Sequence, residues 1–278
     1  MDITNRSRAP RRTRSVRRTT GLALACAAAL LGLTACRGPA ADADPAGGRA
    51  PAGARTGAAE AGREPAAPRR LLWMGDSVGV AQAPALKAAM RAGGVEFASM
   101  AAVGGGGVIG ETAAPTWKDL PGKLRSFAPD VVAYQITTYD WGTPAEQRAG
   151  YERLARTVSE AGARLLIVSA PPFRMDDFYR PHRAAIASAP RVARDVAARH
   201  PGTVRFLDAS ALWGGDGEAP RAQRSEDGIH SCQQGSAAFA AWFGERLGER
   251  SAFTPAAPER WATGPWTGDE VYGRLGCD

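Results

Sequence analysis

Short apolar runs alternate with longer segments of helical spacing between residue 69 and about residue 250. The apolar runs predict five strands: Leu71–Met74, Val95–Met100, Val131–Ile136, Arg164–Ser169 and Val204–Leu207. The segments between and after them predict five helices: Val80–Arg91, Lys118–Phe127, Pro144–Ala161, Arg183–Arg199 and Gly235–Leu247. Strands that alternate with helices at this spacing predict an α/β domain with a mostly parallel sheet covered on both faces.

A parallel sheet of this kind places its functional site at the carboxyl ends of the strands. The loops that this rule selects are 75–79, 102–110, 137–143, 170–180 and 208–231. The last segment, 251–278, contains Trp261 and Trp266 but has no clear periodicity, so the pattern predicts no element there. We therefore expect a single folded domain over 69–250, followed by a C-terminal tail over 251–278.

The first 35 residues have the pattern of an export signal. A basic region precedes the apolar run Gly21–Leu33, which is short for a membrane span. The sequence Leu33-Thr34-Ala35-Cys36 then resembles a bacterial lipobox, which implies cleavage before Cys36 and acylation of its sulfur. We expect an extracytoplasmic protein held by lipid on the outer face of the bacterial cytoplasmic membrane. A plain secretory signal or an uncleaved anchor is the alternative, with Cys36 incidental.

The segment that follows the lipobox has little to bury. Residues 37–68 consist largely of Ala, Gly, Pro, Arg and acidic residues, a composition typical of a disordered tether. The domain organisation predicted is a signal peptide over 1–35, a lipidated tether over 36–68, and the folded domain after it.

The net charge of +7 is concentrated in the leader. Residues 1–20 contain seven arginines and one acidic residue, a balance of +6, which leaves about +1 for the rest of the chain. A nearly neutral domain does not favour a nucleic-acid partner. The chain has no CxxC or HExxH spacing, so we expect no bound metal. We also expect no cofactor. Separately, we expect the protein to be a monomer.

Two of the four cysteines are left to pair with each other after processing and lipidation. Cys26 lies in the apolar run and Cys36 in the lipobox, which leaves Cys232 and Cys277. Cysteines outside the cytoplasm tend to pair, so a Cys232–Cys277 disulfide is expected, with two free thiols as the alternative.

The loop after the first strand carries a candidate nucleophile. Gly75-Asp76-Ser77 joins this strand to a predicted helix, whose first N–H groups lack intrahelical partners and favour a developing oxyanion. Serine needs a base within hydrogen-bond reach, and the chain offers only His182, His200 and His230.

Of the three histidines, His230 has the best position. It lies in Asp227-Gly228-Ile229-His230, in the last strand-to-helix loop, where the aspartate can fold back onto the imidazole and fix its tautomer. His200 ends a predicted helix, where a cation suits the helix dipole, and His182 begins a helix with an expected solvated role. The alternative is that His230 is a surface histidine beside a turn-forming aspartate.

Gly75-Asp76-Ser77 near the start of the domain and Asp-x-x-His near its end together resemble the SGNH/GDSL hydrolase family. The resemblance covers about residues 69–250. It implies a flavodoxin-like three-layer α/β/α sandwich with a five-stranded sheet, and an acyl-enzyme mechanism on esters. It also implies that Ser77 is the nucleophile, His230 the general base and Asp227 its orienting partner.

The same resemblance implies an oxyanion hole and exposes a departure from the family. The Ser77 N–H and a glycine N–H within Gly104–Gly107, for which we take Gly105, would supply two donors. The family's Gly-x-Asn-Asp block is replaced after the third strand, so that Thr137 stands for Gly and Tyr139 for Asn, while Asp140 is kept. Either Tyr139 or Thr138 substitutes as the third donor, or backbone donors act alone, or activity is reduced.

Three functions remain open from sequence. The first is hydrolysis of acyl esters, with glycan or lipid esters of the cell envelope, or other small esters, as substrates. The second is acyl transfer, such as acetyl transfer, to a sugar hydroxyl with the same triad. The third is a catalytically silent binding or assembly module, which the altered Asn block favours and the retained Ser77, Asp227 and His230 disfavour.

Overall fold

A five-stranded parallel sheet forms the centre of the domain. The computed structural model describes residues 66–217 and 224–277. The strands are β1 Arg70–Met74, β2 Glu96–Ser99, β3 Val131–Gln135, β4 Arg164–Val168 and β5 Val204–Leu207. Their order is β2-β1-β3-β4-β5, and every neighbouring pair is parallel. All five predicted strands are present, each within two residues of its predicted ends.

Helices follow the strands on both sides of the sheet. They are α1 Ser77–Ala92, α2 Ala114–Phe127, α3 Pro144–Glu160, α4 Arg183–Arg199, α5 Ser210–Trp213, α6 Gln233–Gly248 and α7 Glu270–Arg274. Helix α1 begins three residues before the predicted start, because the Asp76 side chain caps it by accepting a hydrogen bond from Val78 N–H. This earlier start makes Ser77 the first residue of a helix.

Alternate residues of β1 face opposite layers, as the pleat of a strand requires. Leu71 and Trp73 are fully buried in one core, which contains side chains of α1 and α6. Leu72 and Met74 are buried in the other, which contains side chains of α2, α3 and α4. The expected three-layer α/β/α sandwich is therefore confirmed.

Helices α1 and α6 pack directly against each other on the first face. The Ser236 hydroxyl donates to the Ala81 carbonyl oxygen at 3.1 Å, and both atoms are buried. Trp73 lies beneath the pair, with its ring 5.7 Å from that of Phe239 and 5.9 Å from that of Phe243. The residues preceding α1 and α6, which include Asp76 and His230, are thereby held at the same end of two neighbouring helices.

The C-terminal segment packs onto the domain, although its sequence pattern predicted no element. Phe253 and Trp261 are buried in the α1/α6 core. Tyr272, in α7, donates its hydroxyl to the Ala81 carbonyl oxygen at 3.0 Å. A disulfide joins Cys232, the residue before α6, to Cys277.

The predicted signal peptide, the lipobox cysteine Cys36 and nearly all of the predicted tether lie outside the described residues. Within residues 66–217 and 224–277, no helix is both long and apolar enough to span a membrane.

Candidate active site

The candidate site lies where the order of the strands reverses. Strand β1 has β2 on one side and β3 on the other, so the loops after β1 and β3 leave the sheet side by side. Open α/β sheets of order 2-1-3-4-5 bind their ligands at this switch point, outside the carboxyl ends of the strands. Here the two loops carry Gly75-Asp76-Ser77 and Thr137-Thr138-Tyr139-Asp140.

The Asp76 carboxylate joins these two loops. One oxygen caps α1, and the other accepts hydrogen bonds from the Thr138 N–H at 2.7 Å and the Thr138 hydroxyl at 2.8 Å. Burial raises the pKa of Asp76, while the bonds from Thr138 and Val78 oppose that increase. The carboxylate therefore fixes the position of Ser77 relative to β3, and Thr138 is a partner that the sequence did not identify.

Ser77 is half-buried at the first position of α1. The Asp76 side chain accepts from the Val78 N–H, and the Asp76 carbonyl accepts from the Val80 N–H at 2.9 Å. The Ser77 N–H has no intrahelical partner at this position. It can thus donate to an oxygen that gains negative charge beside the Ser77 hydroxyl.

Asp227 and His230 form a hydrogen-bonded pair in the loop before α6. His230 Nδ1 lies 2.6 Å from Asp227 Oδ2. The other carboxylate oxygen accepts from the Ser225 hydroxyl at 2.6 Å and from the backbone N–H groups of Ile229 and His230 at 2.7 and 3.0 Å. Partial burial opposes ionisation of Asp227, but these hydrogen bonds outweigh it and lower its pKa to about 2.

An ionised Asp227 decides the tautomer of His230. A carboxylate can only accept, so Nδ1 carries the proton and donates, which leaves the lone pair on Nε2. The Nε2 atom is buried and has no hydrogen-bond partner among the described residues. His230 therefore presents an available base, oriented by Asp227.

Two observations relate His230 to the Ser77 loop. A positive charge on His230 lowers the pKa of Asp76, the residue before Ser77, so the two side chains interact electrostatically. The Ser236–Ala81 hydrogen bond also holds the helices that follow the two loops together. Among the described residues no hydrogen bond joins the Ser77 hydroxyl to His230 Nε2.

The glycine loop after β2 approaches Ser77 through Gly106. A Cβ atom at Gly106 would lie 1.9 Å from the Gly75 carbonyl oxygen, and its φ is +78°. Gly105, which we took as the oxyanion donor, has only the Thr112 carbonyl oxygen near its Cβ position, at 3.8 Å. Gly106 is thus the glycine in contact with the Gly75–Asp76 peptide, while the donor role of Gly105 stays a prediction.

The Asp140 side chain packs against this glycine loop at Gly107. Its buried carboxylate accepts hydrogen bonds from the Tyr134 hydroxyl at 2.7 Å, the Thr137 hydroxyl at 2.9 Å and the Tyr151 hydroxyl at 2.9 Å. A Cβ atom at Gly107 would lie 3.1 Å from Asp140 Oδ1. Burial raises the pKa of Asp140 to about 6, against the effect of these donors.

The two side chains considered as replacements for the family's Asn have other partners. The Thr138 hydroxyl donates to Asp76, as described above. Tyr139 lies in an aromatic cluster, with its ring 5.4 Å from Trp141, 6.4 Å from Phe178 and 6.3 Å from Tyr179. The role of Tyr139 as an oxyanion donor stays a prediction.

The other two histidines have structural partners. His200 directly follows α4, and its Nε2 lies 2.5 Å from Glu152 Oε2. His182 stacks on Trp141 with ring centroids 3.5 Å apart and an interplanar angle of 2°. His182 is half-buried and Trp141 covers one face of its imidazole, so the solvated role expected for it stays a prediction. Among the described residues, no cluster of three His, Cys, Asp or Glu side chains is placed to hold a metal ion.

The fold is similar to that of several solved structures. A protein assigned as an SGNH hydrolase from Slackia heliotrinireducens is 19% identical, with a TM-score of 0.51 over 63% of this chain and 97% of that one. A GDSL-like lipase from Bacteroides thetaiotaomicron is 15% identical, with a TM-score of 0.48 over 65% of this chain and 88% of that one.

The periplasmic domain of a lipopolysaccharide acetyltransferase from Salmonella Paratyphi A is 13% identical. The TM-score is 0.46, and the superposition covers 64% of this chain and 83% of the acetyltransferase domain. No protein-family profile matches the sequence, and no curated protein is significantly similar to it. The sheet order and the likeness to the Slackia protein together give this domain the fold of SGNH hydrolases.

Proposed function

We propose that this domain is a serine esterase that hydrolyses acyl esters through an acyl-enzyme on Ser77. The observation that carries the proposal is the His230 imidazole, whose Nδ1 is bonded to Asp227 and whose Nε2 is unpartnered among the described residues. It lies in the loop before α6, which packs on the helix that Ser77 begins. A serine with such a base beside a helix N-terminus has the parts that acyl transfer needs.

In the first half of the reaction the Ser77 Oγ attacks the ester carbon while its proton passes to His230 Nε2. Asp227 stays ionised and stabilises the imidazolium. The tetrahedral oxyanion accepts hydrogen bonds from the Ser77 N–H and from the glycine loop that contacts Gly75. Collapse breaks the ester C–O bond, and His230 returns the proton to the departing alcohol.

In the second half a water molecule replaces the alcohol. His230 Nε2 takes a proton from the water, whose oxygen attacks the acyl carbon of the Ser77 ester. The second tetrahedral intermediate collapses to the free carboxylic acid and the Ser77 hydroxyl, which recovers its proton from His230. If a sugar hydroxyl takes the place of water, the same steps transfer the acyl group.

The replaced Asn sets the expected rate. Because the Thr138 hydroxyl donates to Asp76, the oxyanion is left with backbone N–H groups and with Tyr139 as the one remaining side-chain candidate of the two. Loss of one side-chain donor from an oxyanion hole costs about 100-fold or more in kcat. We therefore expect a slower enzyme than one with the complete donor set.

A fluorophosphonate probe tests this proposal. The wild-type protein should be labelled on Ser77, and Ser77→Ala and His230→Ala should lose both labelling and hydrolysis of 4-nitrophenyl acetate. His200→Ala is the matched control, because His200 is bound to Glu152 and should leave both unchanged. A folded wild-type protein that is neither labelled nor active would contradict the esterase and favour the silent module.

Product analysis in the presence of a sugar acceptor separates hydrolysis from transfer. Free acid as the only product supports the esterase, and an acylated sugar supports the transferase. We further propose that the lipid on Cys36 holds the domain at the outer face of the membrane, near cell-envelope esters.

A further inference from the structure

A cleft of about 680 Å³ lies beside the glycine loop, between the start of α2 and the first half of α3. Two indole rings, Trp117 and Trp141, are among its walls, and Glu146 and Arg153 also line it. The rest of the lining is small or aliphatic: Val108, Ile109, Gly110, Ala113, Ala114, Ala149 and Gly150. This size falls in the range of about 300–1,000 Å³ that small-molecule sites occupy.

Both indoles are held in place before any ligand arrives. The Trp117 Nε1–H donates to the Val108 carbonyl oxygen at 3.1 Å, and the Arg153 guanidinium lies 3.9 Å from the centre of a Trp117 ring. Trp141 is stacked on His182. Rings that are already ordered lose little conformational freedom on binding, which favours affinity.

The cleft shares its loops with the candidate active site. Gly106 contacts the Gly75–Asp76 peptide, and the chain enters the cleft two residues later at Val108. Gly150 permits this path, because a Cβ there would lie 2.5 Å from Ile109 Cγ1. Trp141 directly follows Asp140, which supports the glycine loop. The same glycine loop therefore contacts both the Ser77 loop, through Gly106, and the cleft, through Val108.

We propose that this cleft binds a neutral saccharide segment of an O-acylated glycan, an inference that rests on the proposed esterase function. Indole surfaces offer flat apolar area for the C–H faces of a sugar ring. Glu146 and Arg153 supply an acceptor and donors for hydroxyl groups, and their opposite charges favour a neutral ligand. A long acyl chain would instead desolvate both charged groups, although the Glu146 carboxylate keeps its hydrogen bonds from Thr143 and Arg153 keeps its contact with Trp117.

Ala149→Arg blocks the cleft without removing any packing. Ala149 is exposed on α3, where arginine is a good helix former. Ala187→Arg is the matched control, since Ala187 is exposed on α4 and does not line the cleft. Trp117→Ala tests the aromatic wall, with Phe206→Ala as its control, because Phe206 is also half-buried beneath an arginine, Arg194.

Binding is measured by calorimetry on the Ser77→Ala protein with xylo-, manno- and chito-tetraose. At least one tetraose should bind, and Ala149→Arg and Trp117→Ala should each weaken it by about tenfold or more, a loss of about 1.4 kcal/mol. The two control substitutions should leave the affinity unchanged. If none of the three sugars binds, or if Ala149→Arg does not alter the binding, the proposal that the cleft binds a saccharide is wrong.

Kinetics on the protein with Ser77 intact separate this inference from the proposed function. Ala149→Arg should raise KM for the partly O-acetylated tetraose about tenfold and leave kcat/KM for 4-nitrophenyl acetate unchanged. Ester turnover without sugar binding would contradict saccharide binding in the cleft and support the proposed esterase function. If a sugar binds, Ala149→Arg abolishes that binding and no ester is turned over, saccharide binding in the cleft is supported and the proposed esterase function is contradicted.

Discussion

The Asp76 carboxylate performs two structural tasks at once. It caps α1 through the Val78 N–H, and it binds both the N–H and the hydroxyl of Thr138 on the neighbouring loop. The first contact is local and follows from the residue type. The second depends on β1 and β3 lying side by side, and it uses the threonine hydroxyl that sequence offered as an oxyanion donor.

Gly106→Ala should reduce kcat/KM for 4-nitrophenyl acetate by about 100-fold, since displacing a catalytic group by about 1 Å can cost that much. The added Cβ would overlap the Gly75 carbonyl oxygen, so the Ser77 loop must shift. Gly104→Ala is the control. Gly104 also has a positive φ, of +70°, but its Cβ would meet no atom within 4 Å. Equal losses in the two variants would attribute the effect to backbone strain alone.

Asp140 should make the folded protein less stable as pH rises, whereas a carboxylate with a lowered pKa does the opposite. Its pKa is about 6 in the folded protein against a model-peptide value of 3.8, so the folded state holds the proton more tightly. The free energy of unfolding should therefore fall as pH rises from about 4 to about 6, by about 3 kcal/mol from this residue.

Asp140→Asn isolates this contribution, because asparagine does not titrate. Urea unfolding of both proteins at several pH values should show the wild type losing stability relative to Asp140→Asn as pH increases through this window. Parallel pH profiles for the two proteins would contradict the raised pKa of Asp140.

At the scale of elements, the α1/α6 pair brings the first and last loops of the domain together. Ser236 and Tyr272 both donate to the Ala81 carbonyl oxygen, so α6 and α7 contact α1 at one point. The disulfide joins Cys277, which lies just beyond α7, to Cys232, the residue before α6 and two residues after His230. The C-terminal segment therefore supports the histidine loop, although it contributes neither Ser77 nor His230.

Replacing both Cys232 and Cys277 by Ser should lower the free energy of unfolding by about 4 kcal/mol, as the chain-entropy model gives for a bridge of this span. The bridged residues are 45 apart in sequence. Urea unfolding with and without reductant measures the loss. Reductant should destabilise the wild type and leave the double variant unaffected. A wild type insensitive to reductant would contradict the contribution of the bridge.

At the scale of the whole molecule, the lipid anchor is a proposal carried by the Leu33-Thr34-Ala35-Cys36 sequence. Cys36→Ser should abolish incorporation of radiolabelled palmitate and move the protein from the membrane to the soluble fraction of cells. Ester hydrolysis by the released domain should be unchanged, because the described domain begins after the tether. Membrane retention of Cys36→Ser would favour an uncleaved anchor.

Much of the architecture could be predicted from the chain, because a buried parallel strand leaves a strong local signal. Every residue of β3 is buried, and such runs of apolar residues bounded by breakers are visible without any structure. The C-terminal segment could not be predicted in this way. Phe253 and Trp261 are buried against α6, which precedes them, and against α1, which is distant in sequence, and their spacing carries no period.

The sequence by itself determined the order of strands and helices, the candidate serine, and the Asp227–His230 pair, whose partners are three residues apart. These features follow from periodicity and from short-range geometry. Only the tertiary structure decided that Thr138 binds Asp76, that Gly106 rather than Gly105 contacts Gly75, and that two tryptophans line one cleft. The physical reason is that these contacts join loops whose distance depends on the packing of the whole sheet.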